Sequence, residues 1–347
     1  MSYIRPKGLP FVYPGVTDVT DCITSEEVMA KAKLNWNVVK QEIYSKSPVE
    51  EFAHPAWDKV DHRLIGNELF MQVPNGYAVC REDNKVPLGI VKDRYTPVQN
   101  VDAFKFFDSA IGKNEAIWQT AGCFGYGERI FVSAKLPDTI SVKGDPVDSY
   151  LVFTNSHDGS TGVKILFTPI RVICFNMLNA AVRKASSYIS FRHTKSVHDN
   201  INTAKEILGI CKVTCNILQE AYTEMYKKKV SDDKFQTIIG DLVFSETEKA
   251  ALKEGGYSYK SIFDRNWNAI DYANISTQKI KMISNIELYY HEGPGQKEIE
   301  GTGWGVYNAV TGYYSNMENN EGAKRMDTLL YGDRSRKIET IGNLILV

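Results

Sequence analysis

The stretch SYLVFTNSHDGSTGVKILFT, residues 149–168, decides how the middle of this chain folds. Both of its ends are rich in β-branched and aromatic residues, and Val163 and Ile165 alternate with other side chains as in a strand. Between the ends lies Asp158-Gly159, a pair typical of hairpin turns because glycine adopts the positive φ that such turns need. The stretch therefore predicts two antiparallel strands joined by a turn.

The turn contains Ser156, His157 and Asp158 side by side, which are the residue types of a catalytic triad. A triad needs the base within hydrogen-bond reach of the nucleophile, with the acid behind the base. Consecutive residues of an extended chain point to opposite faces, so His157 should face away from both neighbours. A turn is the favoured interpretation. The alternative is a catalytic His157 or Asp158 that works with partners from elsewhere in the chain.

Composition limits the classes of function. The 347 residues are 43% hydrophobic and 24% charged, which is typical of a globular protein with a sizeable core. The net charge of −1 predicts no whole-surface attraction to nucleic acid or to an anionic membrane, so such binding would need a local basic patch. The N-terminus lacks a signal-like apolar run, and no segment reaches the length of a membrane span. We expect a cytoplasmic protein without a membrane partner.

The order of patterns predicts an α+β fold. Antiparallel strand hairpins should pack on a long helix, and a mostly helical C-terminal half should follow. Further hairpins are expected from YAVCRED with PLGIVKDRY and from AIWQTAG with RIFVSAKL. We expect three regions: an N-terminal extension with a short helix (1–65), an α+β core (66–195) and a helical region packed on the core (196–347).

The long helix of the core is predicted to begin at Thr168-Pro169, with threonine as N-cap and proline in the first turn. Arg171 lies on the side of this helix that should reach solvent or a ligand. The following apolar residues have the spacing of a buried helical face: Ile170, Ile173, Cys174, Met177, Leu178, Ala181 and Val182. Two capping boxes, Ser196 with Asp199 and Ser245 with Glu248, predict helix starts in the C-terminal half.

Motifs for catalysis and for cofactors are missing from the sequence. It has no GxxxxGK[ST], no HExxH and no GxSxG, and the glycine-rich GCFGYG and GTGWG are interpreted as turns. The six cysteines form no CxxC pair and the six histidines are scattered, so we assign no metal site and expect buried free thiols. No catalytic residue and no cofactor are predicted.

One stretch favours nucleic acid. Between Arg171 and Lys195 the chain has basic and aromatic residues but no carboxylate. Basic residues that follow a phosphate backbone, with aromatics that stack on bases, are typical of single-strand binding grooves. The alternative is a helix with a solvated basic face, followed by a strand whose aromatics pack in the core. The candidate contacts are Arg171, Arg183, Lys184, Tyr188, Arg192, His193 and Lys195.

Three blocks, PLGIVKDRYTPVQNVDAFKFFD, FTNSHDGSTGVKILFTPIRVICFNML and GTGWGVYNAVTGYYSN, resemble the signature blocks of a phage- and plasmid-borne family catalogued as domain of unknown function 932. The resemblance spans roughly Trp36 to Lys337, and Arg171, Cys174 and Asn176 stand at the family's Arg-Val-x-Cys-x-Asn run. It implies a mobile-element origin and a host bacterial cytoplasm, but no biochemical activity. The order of hairpins, helix and basic arm is also similar to the core of single-strand annealing proteins, which form rings or filaments and use no nucleotide.

The leading hypothesis is therefore a non-enzymatic, homo-oligomeric protein that binds or anneals single-stranded nucleic acid in replication or recombination. One alternative is a nuclease or nucleotide-modifying enzyme with His157, Asp158 and Arg171 around one pocket. Another is a protein that inhibits a host system by direct binding. A cleft with His157 and Asp158 at its bottom would favour the enzyme, and a large apolar surface patch would favour the inhibitor.

Overall fold

A computed structural model of the chain describes residues 15–47, 61–66, 68–111, 116–171, 173, 176–177, 188–194, 204–317, 328–329 and 332–347. The strands within these ranges are β1 (Val16–Asp18), β2 (Val38–Ser47), β3 (His62–Ile65), β4 (Glu68–Arg81), β5 (Pro87–Lys92), β6 (Ile117–Phe124), β7 (Arg129–Val142), β8 (Asp145–Ser156), β9 (Val163–Arg171), β10 (Asn176–Met177) and β11 (Tyr188–Phe191). The helices are α1 (Ser25–Lys31), α2 (Asn100–Ile111), α3 (Ala204–Lys227), α4 (Asp232–Val243), α5 (Glu246–Glu254), α6 (Tyr259–Phe263), α7 (Trp267–Tyr272), α8 (Thr277–Glu292), α9 (Gly303–Gly312) and α10 (Asp333–Leu346), with a π-helical turn (Tyr313–Met317) after α9.

The larger sheet is antiparallel and, within the described ranges, has seven strands. Its order is β1-β6-β7-β8-β9, and β10 and β11 both pair with the outer edge of β9. Strands β8 and β9 form the hairpin expected from residues 149–168, with Thr154 opposite Lys164. Gly159 lies in its turn at φ +74°, as the Asp-Gly pair predicts.

The smaller antiparallel sheet is built around the long strand β4. Strand β2 pairs along one edge of β4, and β3 and β5 pair in succession along its other edge. Because β1 pairs with β6 and β2 with β4, the segment before residue 66 contributes strands to both sheets. The division of the chain at residues 65 and 195 stays a prediction.

The two sheets meet where β5 passes the β8–β9 turn. Gly89 of β5 lies so close to this turn that a Cβ atom there would be 2.5 Å from the Cα atom of Asp158. On the other side of the contact, a Cβ at Gly159 would be 2.9 Å from Val91. A glycine at residue 89 is therefore needed for the backbone to approach this closely.

The C-terminal part is helical and packs on the larger sheet through α3, which lies against β7. The Gln219 side chain of α3 accepts from the backbone N–H of Ser141 (2.8 Å) and donates to its carbonyl (2.6 Å). These are the two hydrogen bonds that a residue of a neighbouring strand would form with Ser141. Helix α9 is buried along its whole length. Buried apolar residues of both sheets and of the helices form one continuous core, and the α+β prediction is confirmed.

Several local predictions are also confirmed. The two further hairpins form as β4–β5 and β6–β7. The short helix expected in the N-terminal extension is present as α1, and Ser245 caps α5 in a capping box with Glu248. Among the five described cysteines all are free thiols, three of them buried and two partly buried. The predicted cap at Ser196 lies outside the described residues.

The helix predicted from Thr168-Pro169 is wrong for the part of that stretch that the structure describes, residues 168–171, 173 and 176–177. Strand β9 continues through both residues, with Thr168 opposite Tyr150 and Pro169 opposite Ser149, and the chain then returns as β10. From Ile165 to Arg171 every residue of β9 is buried, so the end of the strand has no alternation of exposed and buried side chains, and spacing cannot distinguish such a run from the start of a buried helix. Pro169 lies between the stretches of β9 that β11 and β10 cover, a position where a proline is tolerated. Ile173, expected to be buried, is 43% exposed, and the Met177 side chain lies outside the described residues.

The close contact at Gly89 gives the first prediction. Replacement of Gly89 by alanine should lower the free energy of unfolding by roughly 1–3 kcal/mol, because the new methyl group would push β5 away from Asp158. Ile90→Ala is the matched control, since the Ile90 side chain is 74% exposed and its loss should change stability by about 0.5 kcal/mol or less. Urea unfolding followed by circular dichroism measures both, and equal stability of the two variants would contradict the contact.

Candidate functional site

A buried hydrogen bond between Asn100 and His157 lies at the centre of the segment that carries the family resemblance. Asn100 is the first residue of α2, and His157 follows directly after β8. Both residues are almost completely buried. The Asn100 amide nitrogen donates to the carbonyls of Leu34 (2.9 Å) and Trp36 (3.3 Å), so its oxygen faces His157 Nε2 at 2.9 Å. The Asn100 side chain therefore links the start of α2 to the hairpin turn.

This arrangement fixes the protonation of His157. The Asn100 oxygen can only accept, so we assign the ring proton to Nε2. The other nitrogen, Nδ1, is buried without a hydrogen-bond partner among the described residues. Burial, together with the nearby His193, lowers the pKa of His157 to about 3, so the ring is neutral at physiological pH.

His193 is a second buried histidine close by. Its ring stacks on Tyr95 with centroids 4.5 Å apart, and its Nδ1 donates to the carbonyl of Thr96 at 3.2 Å. The Tyr95 hydroxyl in turn donates to the carbonyl of Ser156 (2.8 Å), which ties His193 to the same turn. His193 Nε2 has no partner among the described residues, and burial lowers the pKa of His193 to about 4.

Asp158 shapes the turn. Although its partial burial alone would raise the pKa, hydrogen bonds from Ser156 and Ser160 hold the pKa of Asp158 below its ordinary value. Ser156 thus bonds to Asp158 directly, while His157 turns to Asn100. The three residues form a turn and not a triad, as the alternation of side chains predicts.

The enzyme alternative required Arg171 in one pocket with His157 and Asp158, and the structure contradicts it. Arg171 lies opposite Val147, at the far end of β8 from Ser156. A strand rises roughly 3.3 Å per residue, so these two positions on β8 are about 30 Å apart. In addition, a histidine with a pKa near 3 is a poor general base at neutral pH.

Arg171 is also not available to a ligand, contrary to the prediction from the helical pattern. Its side chain is completely buried, and its Nε donates to Asp145 at 2.6 Å. Its terminal nitrogens donate to the carbonyls of Gly295 (2.9 Å) and Pro294 (3.5 Å). Trp304 Nε1 donates to the same Asp145 oxygen at 2.8 Å. This cluster of Asp145, Arg171 and Trp304 joins the edge of the larger sheet to α9.

The structure describes the side chains of three of the seven candidate nucleic-acid contacts, Arg171, Arg192 and His193. Arg171 and His193 are buried, so the expectation that they face a ligand is wrong. Arg192 is exposed directly after β11. Tyr188 belongs to β11, but its side chain lies outside the described residues, as do Arg183, Lys184 and Lys195. Phe191 is half-buried and packs against the core, as expected for the opposite face of a strand.

Sequence reasoning missed the contributions of Asp145, Tyr95 and Trp304. Trp304 belongs to GTGWG, which was interpreted as a turn but forms the start of α9, with Thr302 as N-cap. Its membership in a resemblance block was the available signal. No signal in the sequence identified Asp145, because its partners are distant in the chain. The described part of the chain contains no group of three or more potential metal ligands and no helix long and apolar enough to cross a membrane.

The buried histidines predict a specific pH dependence. An unfolded imidazole has a pKa near 6.5, whereas the folded values are about 4 and about 3, so unfolding takes up protons below pH 6.5. The stabilisation is complete above pH 6.5 and is lost as the pH falls, with a slope approaching about 1.4 kcal/mol per pH unit for each histidine. Urea unfolding at several values between pH 7 and pH 5 measures this slope.

Variants of the two histidines test whether these residues cause the slope of unfolding free energy against pH. His157→Gln and His193→Gln should each reduce the slope by roughly half, whatever their effect on absolute stability, and the double variant should remove most of it. A slope that stays at the wild-type value in the double variant would show that other groups cause it.

The Arg171 ion pair gives a further prediction. Arg171→Met should cost about 3–5 kcal/mol of unfolding free energy, because it leaves the Asp145 carboxylate buried without its cation. Lys135→Met is the matched control, since the Lys135–Asp148 pair is partly exposed and should be worth less than about 1 kcal/mol. Unchanged stability of Arg171→Met, with weaker binding of an oligonucleotide, would instead indicate that Arg171 contacts a ligand.

Comparison with known proteins places the chain in a family. The family model described as Domain of unknown function (DUF932) matches residues 87–340, which include the β8–β9 turn, Arg171 and α9. No curated protein and no solved structure matches the chain. The family match covers well over half of the sequence and confirms the resemblance of its three blocks. The chain is therefore a member of the DUF932 family.

Proposed function

We propose that this protein binds single-stranded nucleic acid without catalysis, as a homo-oligomer acting in the replication or recombination of a phage or plasmid in the bacterial cytoplasm. One observation carries the proposal: the outer edge of the larger sheet is built from chain without carboxylates. Strands β9, β10 and β11 all lie between Asp158 and Asp199, and no acidic residue occurs between these two.

The surface at this edge suits a polyanion. Ser190 and Arg192 are exposed, and Arg192 forms no ion pair with the residues that the structure describes. The remaining basic candidates, Arg183, Lys184 and Lys195, flank β11 in the sequence. If these basic side chains reach the surface beside Arg192, they would attract phosphates although the net charge of the chain is only −1. The similarity to annealing proteins supports the proposal only weakly. It depended on a long core helix after the hairpins, and strand β9 occupies the start of the stretch that was expected to form this helix.

A second candidate function is direct binding to a host protein. It is favoured by β3, an edge strand of the smaller sheet on which Leu64 and Ile65 are 66% and 63% exposed. Apolar side chains on a strand edge are typical of surfaces that pair with another chain.

The proposed function predicts two separable effects on oligonucleotide binding. Removal of charge in the variant R183Q/K184Q/R192Q/K195Q should weaken binding to all sequences alike. It should also flatten the salt dependence by about 0.7 log units of slope for each phosphate that no longer meets a cation. Tyr188→Ala should cost about 1–3 kcal/mol of binding energy because the base no longer stacks on a ring, with little change in salt slope. Fluorescence anisotropy with a labelled single strand at several salt concentrations measures both.

The same strand provides the control. Phe191 packs against the core, so Phe191→Ala should lower stability and not the affinity of the folded protein. Lys105→Gln, which removes an exposed charge from α2, should leave binding unchanged. If the wild-type protein binds no oligonucleotide at low salt, the proposal fails and the host-protein candidate replaces it. Light scattering of the same samples tests the homo-oligomer.

A further inference from the structure

A cleft of about 630 Å³ lies in the helical part, between α4 on one side and α5, the following loop and the start of α6 on the other. The α4 wall presents Asp233 and Gln236, and the opposite wall presents Lys253, Tyr257 and Lys260. Its volume is in the range of sites that bind small molecules the size of a nucleotide. None of these residues belongs to the outer edge of the larger sheet or to the buried cluster around His157.

The charges in the cleft favour an anion on the wall opposite α4. Lys253 and Lys260 are exposed and form no ion pair with any described residue, whereas Lys249 nearby is bonded to Glu246 at 2.9 Å. Asp233 is the one carboxylate among the described lining residues, and it lies on the α4 wall.

The other lining groups favour a planar, hydrogen-bonding ligand. Gln236 Oε1 is buried and has no hydrogen-bond partner in the described part of the chain, so it can accept from a ligand N–H. The Tyr257 ring is half-buried and held by an edge contact with Tyr272 at 6.0 Å, which leaves a fixed aromatic surface at the cleft. Nucleobases offer both the N–H donors and the flat face that these groups require.

We infer that this cleft binds one nucleoside monophosphate unit, with its phosphate at Lys253 and Lys260 and its base between Tyr257 and Gln236. The unit is either a free nucleotide or a nucleotide of a bound single strand, and the second role rests on the proposed function. Two lysines act here as point charges on a phosphate, and the acceptors of the α4 wall give the base its orientation.

The test is calorimetric titration of the full chain with adenosine 5′-monophosphate, with adenosine and with inorganic phosphate. We expect the monophosphate to bind more tightly than either part alone. The variant K253Q/K260Q should weaken its binding by about tenfold or more, because the phosphate would meet no ammonium group on that wall. Lys105→Gln, which removes a charge from α2, should bind as the wild type does. Equal weakening in both variants, or no binding of the monophosphate to the wild type, would overturn the inference.

Anisotropy with a labelled single strand separates this inference from the proposed function. If K253Q/K260Q loses affinity for the strand as well, the cleft holds a nucleotide of that strand. If the wild type binds the monophosphate but no strand, the cleft is a free-nucleotide site and the proposed function fails. If the strand binds equally to wild type and K253Q/K260Q and the monophosphate binds to neither, the cleft inference fails and the proposed function stands.

Discussion

The hydrogen bond between Asn100 and His157 is the interaction on which the α+β half depends. It is buried, and it connects the start of α2, the chain before β2 and the β8–β9 turn at one point. Around it, Tyr95 holds Ser156 and His193, and Asn155 donates to the carbonyl of Val98. Buried polar groups of this kind are favourable only when their partners are in place, so the smaller sheet, α2 and the hairpin have to form together.

A second polar junction, of Asp145, Arg171 and Trp304, attaches the helical part to the far end of the same two strands. The three resemblance blocks therefore meet at two buried junctions, where Asn100, His157, Arg171 and Trp304 have structural partners. The surfaces that these junctions leave free are open to a ligand. The carboxylate-free edge of β9, β10 and β11 and the lysine-lined cleft beside α5 are two such surfaces, and they present cationic side chains to solvent.

The sequence predicted what short-range rules determine. The Asp158-Gly159 turn, the capping box at Ser245 and the hairpins around β4 and β7 follow from neighbouring residues, and all are present. The region after Thr168 could not be assigned in the same way, because a strand buried on both faces has the composition of a buried helix. The burial of Arg171 could not be predicted for a related reason. The burial of Arg171 depends on Asp145 and Trp304, and no local pattern identifies partners so distant in the chain.

A double-mutant cycle on Asn100 and His157 tests the central claim, that this pair is structural, most directly. The unfolding free energies of Asn100→Ala, His157→Ala and the double variant give the coupling energy between the two side chains. Our account predicts two destabilised single variants and a coupling on the order of 1–3 kcal/mol, with the affinity of the folded protein for its ligands unchanged. Additive, small losses of stability accompanied by a loss of binding would contradict the account and would place His157 in a functional site.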